Sequence, residues 1–536
     1  MRFRFTILAF ALFYTYVVSY SINVDDLPAF FDDDDDDEVS RPELETFMER
    51  FGTDYGYNGT LDTILQTDLR HNHDAVYLDY TGAGMYRDSQ IRECEKQLVN
   101  HLYGNAHSRS PSSIKTENEV ESIREKVLRF FNADPEEYTV AFTSGATGAL
   151  HTIGESFPWS EKSKFYYLAE SHNSVVGIRE YAIRFGGGFR SVDEEEVISL
   201  GEKGVDGNGN PQMNPHSSSN PEQTTDESSQ ETKRDHSSPS ENQATFSLFA
   251  FPAEDNFAGV KYPLQWIETI HSHGFDDSKW FILLDAAAFV PTNRLNLSEI
   301  KPDFVTLSFY KLFGFPTGIG ALLLHNSTLP HLRKLYWGGG TVSFASEKDH
   351  LNLFHDRPCS RFEDGTINFL SILCLKSGFD TLEELGIDAI HRHVDALTQF
   401  LYERLTLIRH SNGMPVVEVY GKHEMKDTTM QGGIIAFNLL RSDGSHIGYY
   451  DVQTDSAKKN IHVRTGCHCN PGACRKYLRQ PDGLYQTLAH MKDSCSDAFD
   501  QYNGVPLGAV RASLGYLTSF NDVMALVDFV YGYVDR

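Results

Sequence analysis

The chain has 536 residues, 40% of them hydrophobic, enough to bury a large core in two domains or one composite one. Lys and Arg total 47 against 75 Asp and Glu, a formal net charge of −28. A nucleic-acid-binding surface needs clustered basic residues, so no nucleic acid partner is expected.

The N-terminus carries its own signals. Within residues 1–21, Arg2 and Arg4 precede an apolar run from Phe5 to Val18, with Ser19 and Ser21 beyond it. This is the pattern of a secretory signal or an uncleaved anchor, although the run is short for a membrane span. It predicts a secretory or membrane-anchored protein, with a cytoplasmic one as the alternative. Sequons at Asn58, Asn296 and Asn326 are compatible with secretion. Residues 22–60 form an acidic lead-in, and the charge run at 32–38 reads as a solvated spacer. Seven cysteines, four scattered and three clustered, do not read as a disulfide framework.

Helical spacing follows over 91–103 and 112–131. A strand over 138–142 runs into Thr143-Ser144-Gly145-Ala146-Thr147-Gly148 and a helix over 149–157. A small-residue turn before a helix offers N–H groups and a favourable dipole to an anion. Another strand, 165–168, leads to Glu170-Ser171-His172-Asn173. Residues 201–245 are polar with almost no apolar side chains, and read as a disordered insertion. The strand over 246–251 then leads to Glu254-Asp255-Asn256.

The two most informative stretches come next. WFILLDAAA (280–288) is an apolar strand ending in Asp285, and DFVTLSFYKLFGFPTGIG (303–320) is a buried strand followed by Lys311 and a series of Gly and Pro residues. Pyridoxal 5'-phosphate needs both groups: a lysine that loses its proton and forms a Schiff base, and a carboxylate that keeps the pyridinium nitrogen protonated. Lys311 and Asp285 stand 26 residues apart, each at the end of an apolar strand. Residues 61–375 are expected to form the cofactor-binding domain, and 376–536, which opens on helical spacing over 376–411, a smaller one.

These residues sit in motifs that resemble a known family. YLDYTGAGMY (77–86), LYGNAHSRS (102–110), FTSGATGAL (142–150), DAAAFVPT (285–292), SFYKLFGFPTGIGALL (308–323), FEDGTIN (362–368) and VRTGCHCNPGAC (463–474) run in the order of class V pyridoxal-phosphate enzymes of the cysteine desulfurase type. Within them, the chain is most similar to the desulfurase domain of the molybdenum cofactor sulfurase family. The resemblance implies an α/β fold of pyridoxal-phosphate fold type I: a large, mostly parallel-sheet domain plus a smaller α+β domain, in a homodimer. It implies that Ala146, Thr147 and Ser308 hold the cofactor phosphate, with Thr366 reaching the phosphate of the partner subunit. His172 lies over the cofactor ring, Asn256 meets its hydroxyl side, and Arg511 grips the substrate carboxylate. Tyr310 stands where many relatives have histidine.

The 464–472 stretch, RTGCHCNPG, holds two cysteines in three residues. A mobile loop cysteine suits sulfur transfer, and His468 and Arg464 beside it would raise its thiolate fraction. Alignment with the family puts the nucleophile at Cys469, with Cys467 as the runner-up. A metal site built from Cys467, Cys469, Cys474, His462 and His468 is the rival reading, but the spacing is not a usual zinc pattern; no metal is expected. The implied reaction takes sulfur from L-cysteine to leave alanine and an enzyme persulfide, with the sulfur acceptor open between molybdenum cofactor and others. Selenocysteine lysis, transamination and a catalytically idle interaction protein are the alternatives.

Overall fold

Seven short apolar runs pair into one sheet. The computed structural model describes residues 41–72, 74–203, 245–489, 491 and 498–536. The N-terminal segment 1–21, the lead-in up to residue 40 and residues 204–244 of the expected insertion lie outside the described residues. The helix Glu194–Lys203 reaches into the first positions of that insertion. An N-terminal unit ends at Glu49, and everything below belongs to the second unit, Arg50–Arg536.

The strands are β1 (Tyr138–Thr143), β2 (Lys164–Leu168), β3 (Gly188–Val192), β4 (Phe246–Pro252), β5 (Lys279–Asp285), β6 (Phe304–Ser308) and β7 (Gly320–His325), in the spatial order β1-β7-β6-β5-β4-β2-β3. β7 runs antiparallel to β1 and β6, and every other pairing is parallel. The inner strands are continuous apolar runs because helices cover both faces of the sheet. All five residues of β6 are buried. Ile153, Phe157, Phe165, Leu248, Phe281 and Leu322 meet in one core, each contributing roughly 1.5–3 kcal/mol by leaving water.

Two boundaries differ from expectation. The helix after β1 is α1 (Gly145–Ser156), so the small residues read as a turn form its first turn. The strand read through Phe309 stops at Ser308, because Phe309 opens a short helix, α2 (Phe309–Phe313), which ends at Gly314 with a φ of 78°.

The chain continues through α3 (Phe369–Leu385) and α4 (Ile387–Leu407), broken at Gly386 with a φ of 80°. A second, antiparallel sheet follows: β8 (Val417–Tyr420), β9 (Ile434–Leu439), β10 (Arg464–Gly466) and β11 (Ala509–Ser513), in the order β8-β9-β11-β10. Helix α5 (Pro471–Tyr477) lies between β10 and β11, and α6 (Phe520–Tyr531) follows β11. The architecture is α/β, with a mostly parallel main sheet.

The cysteines correct the sequence reading. Cys94 is bonded to Cys374 across 280 residues, and Cys467 to Cys474 across seven. The first pair joins two helices that the sequence gives no reason to bring together. Among the described residues, no helix is long and apolar enough to cross a membrane.

Candidate active site

Parallel strands carry their functional residues to one edge. β2, β4, β5 and β6 run in the same direction, so the segments after their carboxyl ends converge, as is usual for a ligand crevice in such sheets. His172 follows β2, Asn256 follows β4, Asp285 ends β5, and Ser308 and Lys311 follow from β6. Together with Ala146, Thr147, Ser174, Glu254 and Tyr310, they line one cavity.

Lys311 sits in α2, held from outside by a close backbone contact. The Gly84 N–H donates to the Tyr310 carbonyl at 2.8 Å, and a Cβ on Gly314 would stand 2.6 Å from the Gly84 oxygen. Only glycine fits there. Burial pushes the Lys311 pKa below the ordinary lysine value; the Asp285 carboxylate opposes this, and the guanidiniums of Arg511 and Arg464 reinforce it. The result is a larger share of free amine at neutral pH.

Asp285 is buried, and its Oδ1 accepts the Ala287 N–H at 3.1 Å. The His172 Nδ1 accepts the Ser174 N–H at 3.1 Å, which leaves Nε2 to carry the proton of the neutral ring. Burial lowers the His172 pKa, with Asp285 acting against it and Lys311 adding to it. At the first turn of α1, the Ala146 N–H donates to the Ser308 hydroxyl at 2.8 Å, and the hydroxyls of Thr147 and Ser174 pair at 2.9 Å. An amine, a buried carboxylate, an imidazole and a hydroxyl-lined helix N-terminus on one cavity form a donor set that fits pyridoxal 5'-phosphate.

Sequence reasoning assigned no role to Glu254, whose only signal was its place two residues before Asn256. It is buried in the cavity wall, accepts from Asn293 Nδ2 at 3.2 Å, and has its pKa raised by burial against the pull of Lys261. Sequence reasoning also gave no role to Asp79. Its carboxylate accepts from Arg511 Nη2 at 2.7 Å, while Arg511 Nη1 donates to the Asn256 carbonyl at 2.8 Å.

The Cys469 segment is tied down, against the expectation of a mobile loop. Asn256 Nδ2 donates to the His468 carbonyl at 2.6 Å, the Asn173 N–H to the Cys469 carbonyl at 2.7 Å, and Asn470 Nδ2 to the Glu170 carbonyl at 2.8 Å. His468 and Cys469 both adopt left-handed backbone, with φ of 53° and 57°, at a cost of roughly 1–2 kcal/mol each. The Cys467–Cys474 bond closes a ring around them. Cys469 keeps a free, half-buried thiol. His468 is buried against Phe257, and burial holds its pKa well below the usual histidine value. It is therefore neutral and lends the thiol no positive charge, contrary to the sequence reading. Cys467 and Cys474 are bonded to each other, and no metal-binding group of His, Cys, Asp and Glu occurs among the described residues.

Thr366 does not join these groups. It accepts from Asn105 Nδ2 at 3.3 Å and lines a separate cavity with His151, Glu363 and Asn368.

Comparison with known proteins matches residues 76–187 and 230–526 to the family described as Aminotransferase class-V. Molybdenum cofactor sulfurase of Homo sapiens is 39% identical over 489 residues, covering 89% of this chain and 52% of that protein. The protein of the same name from Solanum lycopersicum is 39% identical over 499 residues, covering 91% and 59%. The chain thus spans about half the length of the curated relatives it matches. Among solved structures, a cysteine desulfurase from Thermococcus onnurineus superposes with a TM-score of 0.65 at 20% identity, covering 88% of this chain and 98% of that one. A cystine C–S lyase in complex with its product, cysteine persulfide, gives a TM-score of 0.61 at 14% identity, covering 87% and 99%. These structures share the fold.

Proposed function

Because the chain belongs to the aminotransferase class-V family, we propose that it is a pyridoxal-phosphate-dependent cysteine desulfurase, taking sulfur from L-cysteine to leave alanine and a persulfide on Cys469. The observation that carries this reading is the cavity shared by Lys311, Asp285, His172 and Asn256, with Asn256 and Asn173 holding the backbone carbonyls of His468 and Cys469, whose thiol is free.

When bound, the cofactor withdraws electrons from the substrate's carbon skeleton. Lys311 Nζ would hold it and would serve as the base that moves protons. Asp285 would keep a proton on the pyridine nitrogen. The amides of Ala146 and Thr147 and the Ser308 hydroxyl would serve its phosphate, Asn256 its ring hydroxyl, and His172 Nε2 would relay protons. Arg511 takes the substrate carboxylate, since a planar guanidinium holds two oxygens at once. The Cys469 thiolate attacks the substrate sulfur and a sulfur–sulfur bond forms. The carbon–sulfur bond breaks, its electron pair stays with the carbon, and protonation gives alanine.

The relatives' name points to molybdenum cofactor as the acceptor. A homodimer is supported by the exposed apolar side chains Leu335, Tyr336, Phe344 and Leu353, and Thr366 would serve the phosphate of the partner copy. We keep residues 61–375 and 376–536 as the two domains. The direct test of the reaction is purified protein with L-cysteine, assayed for alanine and sulfide. Absence of both would refute it.

Asp285→Ala is expected to weaken cofactor retention and to cut turnover by orders of magnitude, because the protonated nitrogen is lost. Near-normal turnover at full cofactor occupancy would refute the role. The N-terminal segment is expected to send the chain into the secretory route. Sequencing the N-terminus of protein from native cells checks this, and an intact Met1 in the cytosolic fraction would overturn it.

A further inference from the structure

Arg511 is 98% buried, yet its guanidinium is only partly used: the side chain is 2% exposed. Nη1 donates to the Asn256 carbonyl and Nη2 to Asp79 Oδ1 at 2.7 Å, while Nε has no partner among the described residues. Nε and Nη2 form one edge of the guanidinium, the pair of N–H groups that a carboxylate takes together. Asp79 therefore sits on half of a two-pronged anion seat and leaves the other half empty and buried. A buried donor left without a partner costs free energy.

Strand pairing explains the placement. On one flank of β11, β10 sets its first residue, Arg464, opposite Arg511, and beyond that end of β10 Asp79 bridges Ser513. The other flank is taken by β9. Asp79 Oδ2 thus comes to 3.9 Å from Arg464 Nη1, so the carboxylate lies between two guanidiniums, one buried and one about half exposed. A Cβ on Gly82 would lie 2.4 Å from Asp79 Oδ2, so glycine lets the turn close over the carboxylate. Arg511 holds the carbonyl of Asn256, and Asn256 lines the cavity of Lys311, so the seat adjoins the same site.

We propose that Asp79 is a built-in stand-in for the substrate's α-carboxylate: it occupies Arg511 in the empty site and moves to Arg464 when substrate takes the Nε–Nη2 edge. This rests on the reading of Arg511 as the carboxylate seat. Asp79 keeps the buried guanidinium paired between turnovers, at the cost of competing with substrate. Arg464 is the positioning residue that receives it. The exchange makes and breaks no covalent bond.

Holoenzyme and calorimetric binding of L-alanine, the product, test this without turnover, with L-alaninamide as the probe that lacks a carboxylate. In Asp79→Asn, L-alanine is expected to bind about tenfold tighter, the worth of one charge-assisted hydrogen bond no longer in competition, with no such gain for the amide. Arg464→Gln, at an exposed position, is expected to weaken L-alanine binding several-fold in the wild type and to have no effect in the Asp79→Asn background. Weaker or unchanged L-alanine binding in Asp79→Asn overturns the proposal and leaves Asp79 as a structural partner of Arg511. Equal weakening by Arg464→Gln in both backgrounds overturns the exchange, because Arg464 would then touch the ligand itself. If wild-type protein binds L-alanine and L-alaninamide equally, the Arg511 reading itself fails, and the proposal with it.

Discussion

Lys311→Ala is expected to abolish the cofactor adduct that borohydride fixes in the wild type, together with the visible absorbance of the loaded protein. Turnover of L-cysteine is expected to fall by orders of magnitude. The reason is local: α2 follows directly from the buried strand β6, and the backbone contact between Gly84 and Gly314 fixes the helix. Burial holds the Lys311 amine below the ordinary lysine pKa, which raises the share of free, nucleophilic amine. Lys261 provides the control. Its pKa is also lowered by burial, but its Nζ is committed to the Thr428 carbonyl at 2.7 Å. Lys261→Gln is expected to keep the adduct. An unchanged adduct in Lys311→Ala would remove Lys311 from the role.

Much of the cavity can be read along the chain because each strand writes its own signal. A dense apolar run followed by one polar residue marks a buried strand and what it delivers, which is why Asp285 and Lys311 stand out along the chain, whereas the roles of His172 and Asn256, which also follow strands, come from the resemblance to the family. Contacts between distant segments leave no such mark. Asp79 meets Arg511 across 432 residues, and nothing near either residue names the other. The Cys467–Cys474 ring was hidden for a different reason. It encloses left-handed backbone at His468 and Cys469, where local propensity favours glycine or asparagine instead. The same propensities read the segment as a free loop, whereas hydrogen bonds from Asn256 and Asn173 hold it. His468 looked like a charged neighbour for the thiol, but its burial can be seen only in three dimensions.

Cys469→Ser is expected to abolish persulfide formation and to cut alanine release by orders of magnitude, because serine is a poor nucleophile toward sulfur. Substrate binding should survive, since Lys311, Asp285 and Arg511 are untouched, and a spectral change on adding L-cysteine should remain. Cys467→Ser should behave differently. Cys467 is bonded to Cys474, whereas Cys469 carries a free thiol at a half-buried position, so loss of Cys467 removes the ring and spares the nucleophile. Alanine formation in a single turnover should therefore persist in Cys467→Ser. Mass spectrometry of the wild type after brief exposure to L-cysteine should place one extra sulfur on the peptide containing Cys469. If Cys469→Ser forms alanine normally while Cys467→Ser does not, the nucleophile is Cys467, acting in protein whose Cys467–Cys474 bond has been reduced beforehand by a thiol. If both variants keep full activity, sulfur leaves without a thiol of this segment, and a different class V reaction replaces the desulfurase reading.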